Sequence, residues 1–403
     1  MIRRPPRSTQ GVSSAASDVY KRQDLEGGRR IGNREDYQNL LKLAQIFNCI
    51  HFTGGYPVEP IDIHPSIRHL DCLFDLLTLT DKLVHAYSLG VERMEDAIEM
   101  VRIASGLDHE TFEEAPRMFT NINSSSPLKH DWSMLDGAMR LARHNQLVIV
   151  TPFTLSGAMA PITLAGALAQ QTAECLAALA LLQVIRPGAP VAYGSFTSNV
   201  DMKTGAPAFG TPEYIRATQI SGQLARRYRL PWRASNANAA NCPDPQATWE
   251  SAASLWACSS ARANIIYHAA GWMEGGLCAS FEKFVIDCEM LQQMAYYHQP
   301  VGVSDEDLAV KAIQEVGPTG HFLGSEHTQA RYKTAFYSPF LSDWSNFENW
   351  EDTGALTTIQ RANRIYKKAL QNYEAPPMDS ATREELQAFV ERRKHEGGAP
   401  TDY

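Results

Sequence analysis

Short apolar runs alternate with stretches of helical periodicity along almost the whole chain, and this alternation narrows the possible architectures more than any other feature. Seven runs, at 49–52, 83–87, 118–122, 147–150, 190–193, 231–234 and from 264, read as strands. Between them the apolar residues fall at helical spacing: Tyr37, Leu40, Leu41, Ala44 and Phe47 first, then 66–80, 94–104, 134–143, 162–184, 212–228 and 246–261. Strand and helix in strict turn imply parallel strands joined by right-handed crossovers. The spacing fits a (β/α)8 TIM-type barrel, which needs eight strands. The eighth is expected before the helix near 34–48, upstream of the point where a foreign N-terminal segment joins the chain, so the sequence predicts a barrel lacking its first strand. A doubly wound open sheet is the alternative, but no GxGxxG turn follows any strand.

A chain of 403 residues, 44% hydrophobic and 20% charged, can bury a large core. Its formal charge of −8 argues against a nucleic-acid surface. Seven scattered cysteines without a CxxC pair exclude a zinc knuckle and a disulfide framework, and set a reducing, cytoplasmic location as the expectation. The stretch 151–185 carries a single charge, Glu174, and has the length of a membrane span. Pro152, Pro161, Gln170, Gln171 and an alanine-dominated composition make it instead a buried helix of a soluble domain, with no membrane partner expected.

The two ends depart from the pattern. Residues 1–23 are basic, serine-rich and without hydrophobic period, and they resemble the translated read-through of a sequencing adapter ending in SDVYKRQ. They are set aside as an adapter-like artefact, which leaves 24–300 as the barrel. An open barrel of seven strands would expose two strand edges and be poorly soluble. Residues 301–403 form the third part: a capped amphipathic helix from Ser304, a glycine- and aromatic-rich segment with Tyr332, Phe336, Tyr337, Phe340, Trp344, Phe347 and Trp350, and two charged helices. The aromatic segment is expected to fold as a flap over the barrel mouth.

Chemistry concentrates in NIIYHAAGWMEGGLCASFEKFVIDCEM, from Asn264 to Met290. A strand ending at His268 gives way to small residues and glycines, then to a helix from Phe281. The intervening loop holds Trp272, Met273 and Glu274. In parallel α/β proteins the carboxyl ends of the strands line the ligand crevice. The other strand ends add Tyr56, His85, Tyr87, Asn121, Asn123, Thr151, Phe153, Tyr193, Phe196, Ser235, Asn236 and Asn238, a set that is aromatic and neutral-polar. Barrel hydrolase signatures such as an early HxH or HExxH are missing, and Asp62 with His64 lies on a proline-broken loop, so no metal site is predicted. Aromatic faces with one or two acids suit a cation whose charge is spread over methyl groups. Core packing is the competing account of each ring.

Several long segments resemble the trimethylamine methyltransferase (MttB-like) family: GGYPVEP from Gly54, LTLTDK from Leu77, TPFTLSGAMAPITLAGALAQQ from Thr151, YGSFTSNVDMKTGAPAFGTPEY from Tyr193, HAAGWMEGGLCASFEKFVID from His268, and GPTGHFLGSEHT from Gly317 with the LSDWSNFE that follows. The resemblance implies a (β/α)8 barrel that moves a methyl group from a methylated amine to the cobalt of a corrinoid (cobalamin) carried by a partner corrinoid protein. Founding members carry pyrrolysine, which this sequence lacks; members without it are associated with quaternary amines such as glycine betaine. On that reading His268 and Glu274 are the catalytic candidates, with Glu274 as countercharge to the cation. Tyr193, Tyr267, Trp272 and Phe281 supply aromatic faces, and His268 and His321 bond a substrate carboxylate or adjust the lower environment of the cobalt. The corrinoid ligand pattern DxHxxG is absent, so the corrinoid is expected on the partner, docked at the barrel mouth. A binding protein without catalysis, an inactive fragment of the enzyme, a metal-dependent barrel lyase or hydrolase, and self-assembly into a homo-oligomer stay open.

Overall fold

A computed structural model describes residues 12–15, as backbone, and 19–401. Eight parallel strands are each followed by a helix: β1 (Val12–Ala15), α1 (Arg34–Ile46), β2 (Phe52–Thr53), α2 (Pro65–Leu79), β3 (Val84–His85), α3 (Val91–Ser105), β4 (Met118–Ile122), α4 (Trp132–Arg143), β5 (Leu147–Val150), α5 (Leu164–Ile185), β6 (Val191–Gly194), α6 (Pro212–Tyr228), β7 (Trp232–Ser235), α7 (Pro245–Ser260), β8 (Ile265–Ala270) and α8 (Phe281–Tyr297). Hydrogen bonds order them β2-β1-β8-β7-β6-β5-β4-β3. The sheet curls in the manner of a TIM barrel until a parallel bridge between Phe52 and Leu83 joins its two outermost strands.

One expectation needs correcting here. The sheet is not short of a first strand: β1, inside the segment set aside as foreign, lies between β2 and β8, pairing Val12 with Ile265 and Ser14 with Phe52. The two edges that a seven-strand sheet would expose are therefore paired.

Local chemistry explains why the helices start where they do. Proline stands at the first turn of α2, α6 and α7, where its missing N–H costs nothing, and His64, Thr211 and Asp244 cap them from the side chain. Alternation along the strands sends Phe52, Phe119, Ile149, Ala192 and Tyr267 into the cylinder, where they form their own cluster, while Val84, Met118, Val148 and Tyr193 face the helices. Truncating Phe119 to alanine in such packing costs about 3–5 kcal/mol. Helix α5 is long and apolar enough to cross a membrane by length and composition. It serves here as the crossover from β5 to β6, with Cys175 Sγ donating to the Val150 carbonyl at 3.2 Å.

Beyond the barrel, α9 (Thr358–Gln371) packs on α8, with Tyr366 stacked on Phe281 at 5.1 Å. Helix α10 (Ser380–His395) is tied to α2 and α3 by Lys394–Asp71 at 2.7 Å and Arg393–Asp96 at 2.6 Å. The intervening aromatic segment does not cover the mouth. Helix α8 begins at the carboxyl ends of the strands and runs to the opposite end, where Gln292 bonds Asn48 in the turn before β2. One turn before Gln292, Glu289 anchors the segment, accepting from Tyr337 Oη at 2.9 Å and from the backbone N–H groups of Phe340 and Leu341 at 3.0 Å each. Phe340 also meets Phe47, the residue that ends α1, at 5.6 Å, so the expected flap packs toward the amino ends of the strands.

Candidate active site

Strand β8 leaves the sheet through an unusual backbone. His268 takes φ 56° and Gly271 φ 83°, after which Trp272–Met273 pairs back on Cys278–Ser280 as a small hairpin. A non-glycine residue in the left-handed region is uncommon and needs its surroundings to hold it. The turn places the His268 imidazole flat against the Trp272 indole, 4.8 Å between centroids at 26°. Phe196 lies 5.5 Å from His268 and 6.2 Å from Trp272, and Phe209 lies 5.5 Å from Trp272. Phe196 belongs to a three-stranded sheet of Phe153–Ser156, Phe196–Val200 and Pro207–Ala208 built on the strand ends, in which Phe153 stacks on it at 5.2 Å.

Beneath these rings, inside the cylinder, sits a buried cation. Arg233 of β7 places its guanidinium 4.2 Å from the centroid of Tyr267 and 5.6 Å from that of Phe196. Its Nη1 donates to Ser235 Oγ at 2.6 Å and to the Ser195 carbonyl at 3.3 Å, both neutral acceptors. The neighbouring imidazoles are uncharged. Burial, then the Arg233 charge, pushes His85 down to about 3 and His268 well below its usual value. Among the described residues, the Arg233 guanidinium thus lies among aromatic rings and beside uncharged imidazoles. Further around the mouth, Asn121 links Asn123 and Thr151 through bonds of 2.9 and 2.6 Å.

Of the residues singled out from the sequence, the structure brings Tyr267, His268 and Trp272 together. Glu274 stands on the adjacent turn at φ 53°, but its carboxylate is already held by the Arg29 guanidinium, Nε to Oε1 at 2.8 Å and Nη2 to Oε2 at 2.6 Å. Tyr193 points outward, its hydroxyl bonded to Gln171 at 2.9 Å and Thr172 at 3.0 Å on α5, because its place in β6 has helix-facing parity. Burial raises that phenol to about 12. Phe281 opens α8 and packs on Tyr366 and the Arg22 guanidinium, outside the cylinder. His321 is exposed, at the start of a short 3-10 turn over Phe322–Gly324. Asp62 accepts from the Arg34 N–H and His64 caps α2, and among the described residues no group of three or more His, Cys, Asp or Glu could hold a metal ion.

Sequence reading passed over Arg233, Phe209 and the ring role of Phe196. The signal for Arg233 was present: a charged residue in the middle of a strand of a doubly covered parallel sheet has nowhere to go but the lumen. Packing of the rings leaves Phe196, Phe209, His268 and Trp272 buried. A cavity of about 30 Å³, the room of about one water, lies behind His85 between Tyr56 and Tyr87. The larger groove, about 570 Å³, runs outside the sheet along Leu176, Leu179 and Leu230, away from the strand ends.

A family model described as trimethylamine methyltransferase (MTTB) matches residues 14–398. The glycine betaine methyltransferase of Desulfitobacterium hafniense is 37% identical over 376 residues, 93% of this chain and 78% of that protein. Trimethylamine methyltransferase MttB of the same species is 33% identical over 343 residues, 85% of this chain and 68% of that protein. Among solved structures, the Methanosarcina barkeri monomethylamine methyltransferase superposes with a TM-score of 0.49 at 9% identity, over 91% of this chain and 74% of that one.

Proposed function

The chain belongs to the trimethylamine methyltransferase family, and on that premise we propose that it takes a methyl group from a quaternary amine bearing a carboxylate, of the glycine betaine type, and passes it to a corrinoid held by a partner protein. The observation that carries the substrate class is the ring set of Phe196, Phe209, His268 and Trp272 at the carboxyl ends of the strands, taken with the 37% identity to a glycine betaine methyltransferase. The faces of Phe196 and Trp272 would meet the ammonium methyls, because their quadrupoles attract a diffuse cation, and a substrate carboxylate would approach the Arg233 guanidinium beneath them.

Charge and bonding balance in the transfer. The C–N bond breaks and its electron pair stays on nitrogen, so the zwitterionic substrate leaves with an uncharged tertiary amine and its carboxylate, an anion overall. A corrinoid docked with the partner would supply the electron pair that takes up the methyl carbon. No proton moves to or from the enzyme, which agrees with two imidazoles held neutral and with a site of rings rather than acids. The residues named here position and desolvate the substrate, and holding it in line is the main source of rate. The corrinoid is assigned to the partner because the ligand pattern DxHxxG is absent from this sequence.

A panel of glycine betaine, choline and trimethylamine with free cob(I)alamin, followed by the absorbance change on methylation, tests the reading. Methylation from glycine betaine and little from the other two is expected. Equal use of trimethylamine would overturn the substrate class. Binding of glycine betaine without methylation would make the chain a binder, and activity abolished by a chelator would replace the methyltransferase with a metal enzyme.

A further inference from the structure

Behind the loop that carries His268 and Trp272 lies a polar cluster with no access to solvent. Lys283 and Asp287 of α8 form an ion pair, Nζ to Oδ1 at 2.6 Å, with both side chains 0% exposed. Lys283 Nζ also donates to Ser251 Oγ of α7 at 2.7 Å. The same Oγ accepts from Asn236 Nδ2 at 3.2 Å and Asn238 Nδ2 at 3.3 Å, the two asparagines that follow β7. Burial raises the Asp287 carboxyl, against the lowering effects of Lys283, the Gly271 N–H and Ser251. A buried pair of this kind is weak evidence for stability, since apolar residues of the same volume often do as well. Its outward connections give it a different use.

Those connections end on one short piece of backbone. Asp287 Oδ2 accepts from the Gly271 N–H at 2.9 Å. Asn238 Nδ2 donates to the Trp272 carbonyl at 2.7 Å, and Asn236 Nδ2 to the Ala269 carbonyl at 3.4 Å. So the peptide groups at 269, 271 and 272 are bonded to the cluster, immediately after His268 turns to φ 56° and where Trp272 returns to meet it. We infer that Ser251, Lys283 and Asp287 are positioning residues: through Asn236 and Asn238 they set the Ala269–Trp272 backbone, and thereby hold the His268 ring on the indole face that borders the substrate. None of them touches substrate. The ion pair fixes Ser251, Ser251 fixes the two amides, and the amides fix the carbonyls. The inference rests on the reading of the pocket as a methylated-amine site.

Ser254 provides an internal control. It lies one turn along α7, is equally buried, and donates to the Ala237 carbonyl at 3.0 Å without joining the cluster. The test compares Ser251→Ala with Ser254→Ala in the full chain by three measurements: melting temperature, the Kd for glycine betaine by calorimetry without acceptor, and ¹⁹F NMR of 5-fluorotryptophan-labelled protein with Trp272 assigned by Trp272→Phe. Ser251→Ala should lose the more thermal stability, since it strands the Lys283 ammonium and two amide groups where Ser254→Ala strands one carbonyl. Only Ser251→Ala should weaken betaine binding, by roughly tenfold, and move the Trp272 resonance while leaving the other tryptophans in place. Ser251→Thr, which keeps the oxygen, should restore both. Identical behaviour of the two alanine variants in binding and fluorine shift would reduce the cluster to structure and overturn the inference. If the Trp272 resonance moves in Ser251→Ala but wild-type protein binds no betaine, the positioning role stands and the substrate reading falls.

Discussion

Arg29 clamps Glu274 in two-pronged fashion, with Nε 2.8 and 2.9 Å from the two carboxylate oxygens and Nη2 2.6 Å from Oε2. The acid expected as the substrate's countercharge is thus committed to the Gly28–Ile31 strand, whose hairpin partner Lys21–Asp24 pairs with Cys278–Ser280. Its role is to fasten the loop to that hairpin, and with Arg29 40% exposed the pair is worth at most about 1 kcal/mol. Glu274→Gln should therefore slow methyl transfer by less than about fivefold. A loss of tenfold or more in kcat/KM, with Arg29→Gln harmless, would return Glu274 to the position of substrate countercharge.

Arg233 makes the opposite prediction. Replacing it with methionine keeps the volume and the contact with Tyr267 but removes the charge that would meet a carboxylate. Binding of glycine betaine should fall by roughly a hundredfold, the scale of a lost charge-assisted bond in a buried site. Binding of choline, which has no carboxylate, should stay level or improve. Parallel losses for the two ligands would show that Arg233 supports the barrel interior and does not read the substrate.

Tyr193 and His321 should separate from the site by their variants. Tyr193→Phe gives up bonds to Gln171 and Thr172 in the layer between β6 and α5, at a cost of about 1 kcal/mol. The melting temperature should drop while kcat and KM hold. His321→Ala, an exposed position outside the ring cluster, should change neither. A raised KM for betaine in either variant would place that side chain back in the pocket.

Much of the barrel was legible because its signals are local. The runs at 118–122 and 147–150 match β4 and β5, and the proline caps of α6 and α7 mark their starts. The helix expected from Ser304 breaks in two at Ala309, φ 50°, a backbone turn that no residue type announces. The three-stranded sheet of Phe153, Phe196 and Pro207 escaped notice for another reason. Two of its three strands follow β5 and β6 after gaps of two residues and one, so the apolar period runs on almost without a break. Tyr193 and Tyr267 look alike in sequence, both near the end of a strand, and only strand parity separates them. The placement of the aromatic segment depended on which way α8 runs and where Glu289 falls along it, which is tertiary information. Pairing of Arg29 with Glu274 spans 245 residues and leaves no mark in either local sequence.

The two buried imidazoles set the pH behaviour. In the folded chain His85 holds no proton until the pH nears about 3, whereas in the unfolded chain it takes one up near its ordinary value of 6.5. Between those limits unfolding binds a proton, so stability falls as the pH drops from 6.5 and is flat above it. His268, lowered for the same reasons, adds to the slope in the same direction. Glu282 and Asp287, raised by burial, oppose it at the acid side of the window, because their folded forms keep a proton that the unfolded chain has released. Comparing wild type with His85→Gln cancels every group but one. The stability difference between them should shift by about 2 kcal/mol against wild type from pH 7 to pH 5, read from urea unfolding at each pH. Betaine binding should show no inflection near pH 6.5, since neither imidazole at the site changes charge there. Equal unfolding slopes in the two proteins, or a binding limb at pH 6.5 that disappears in His268→Gln, would mean that the pocket floor is wetter than its packing implies and that a protonated histidine shares the site with Arg233.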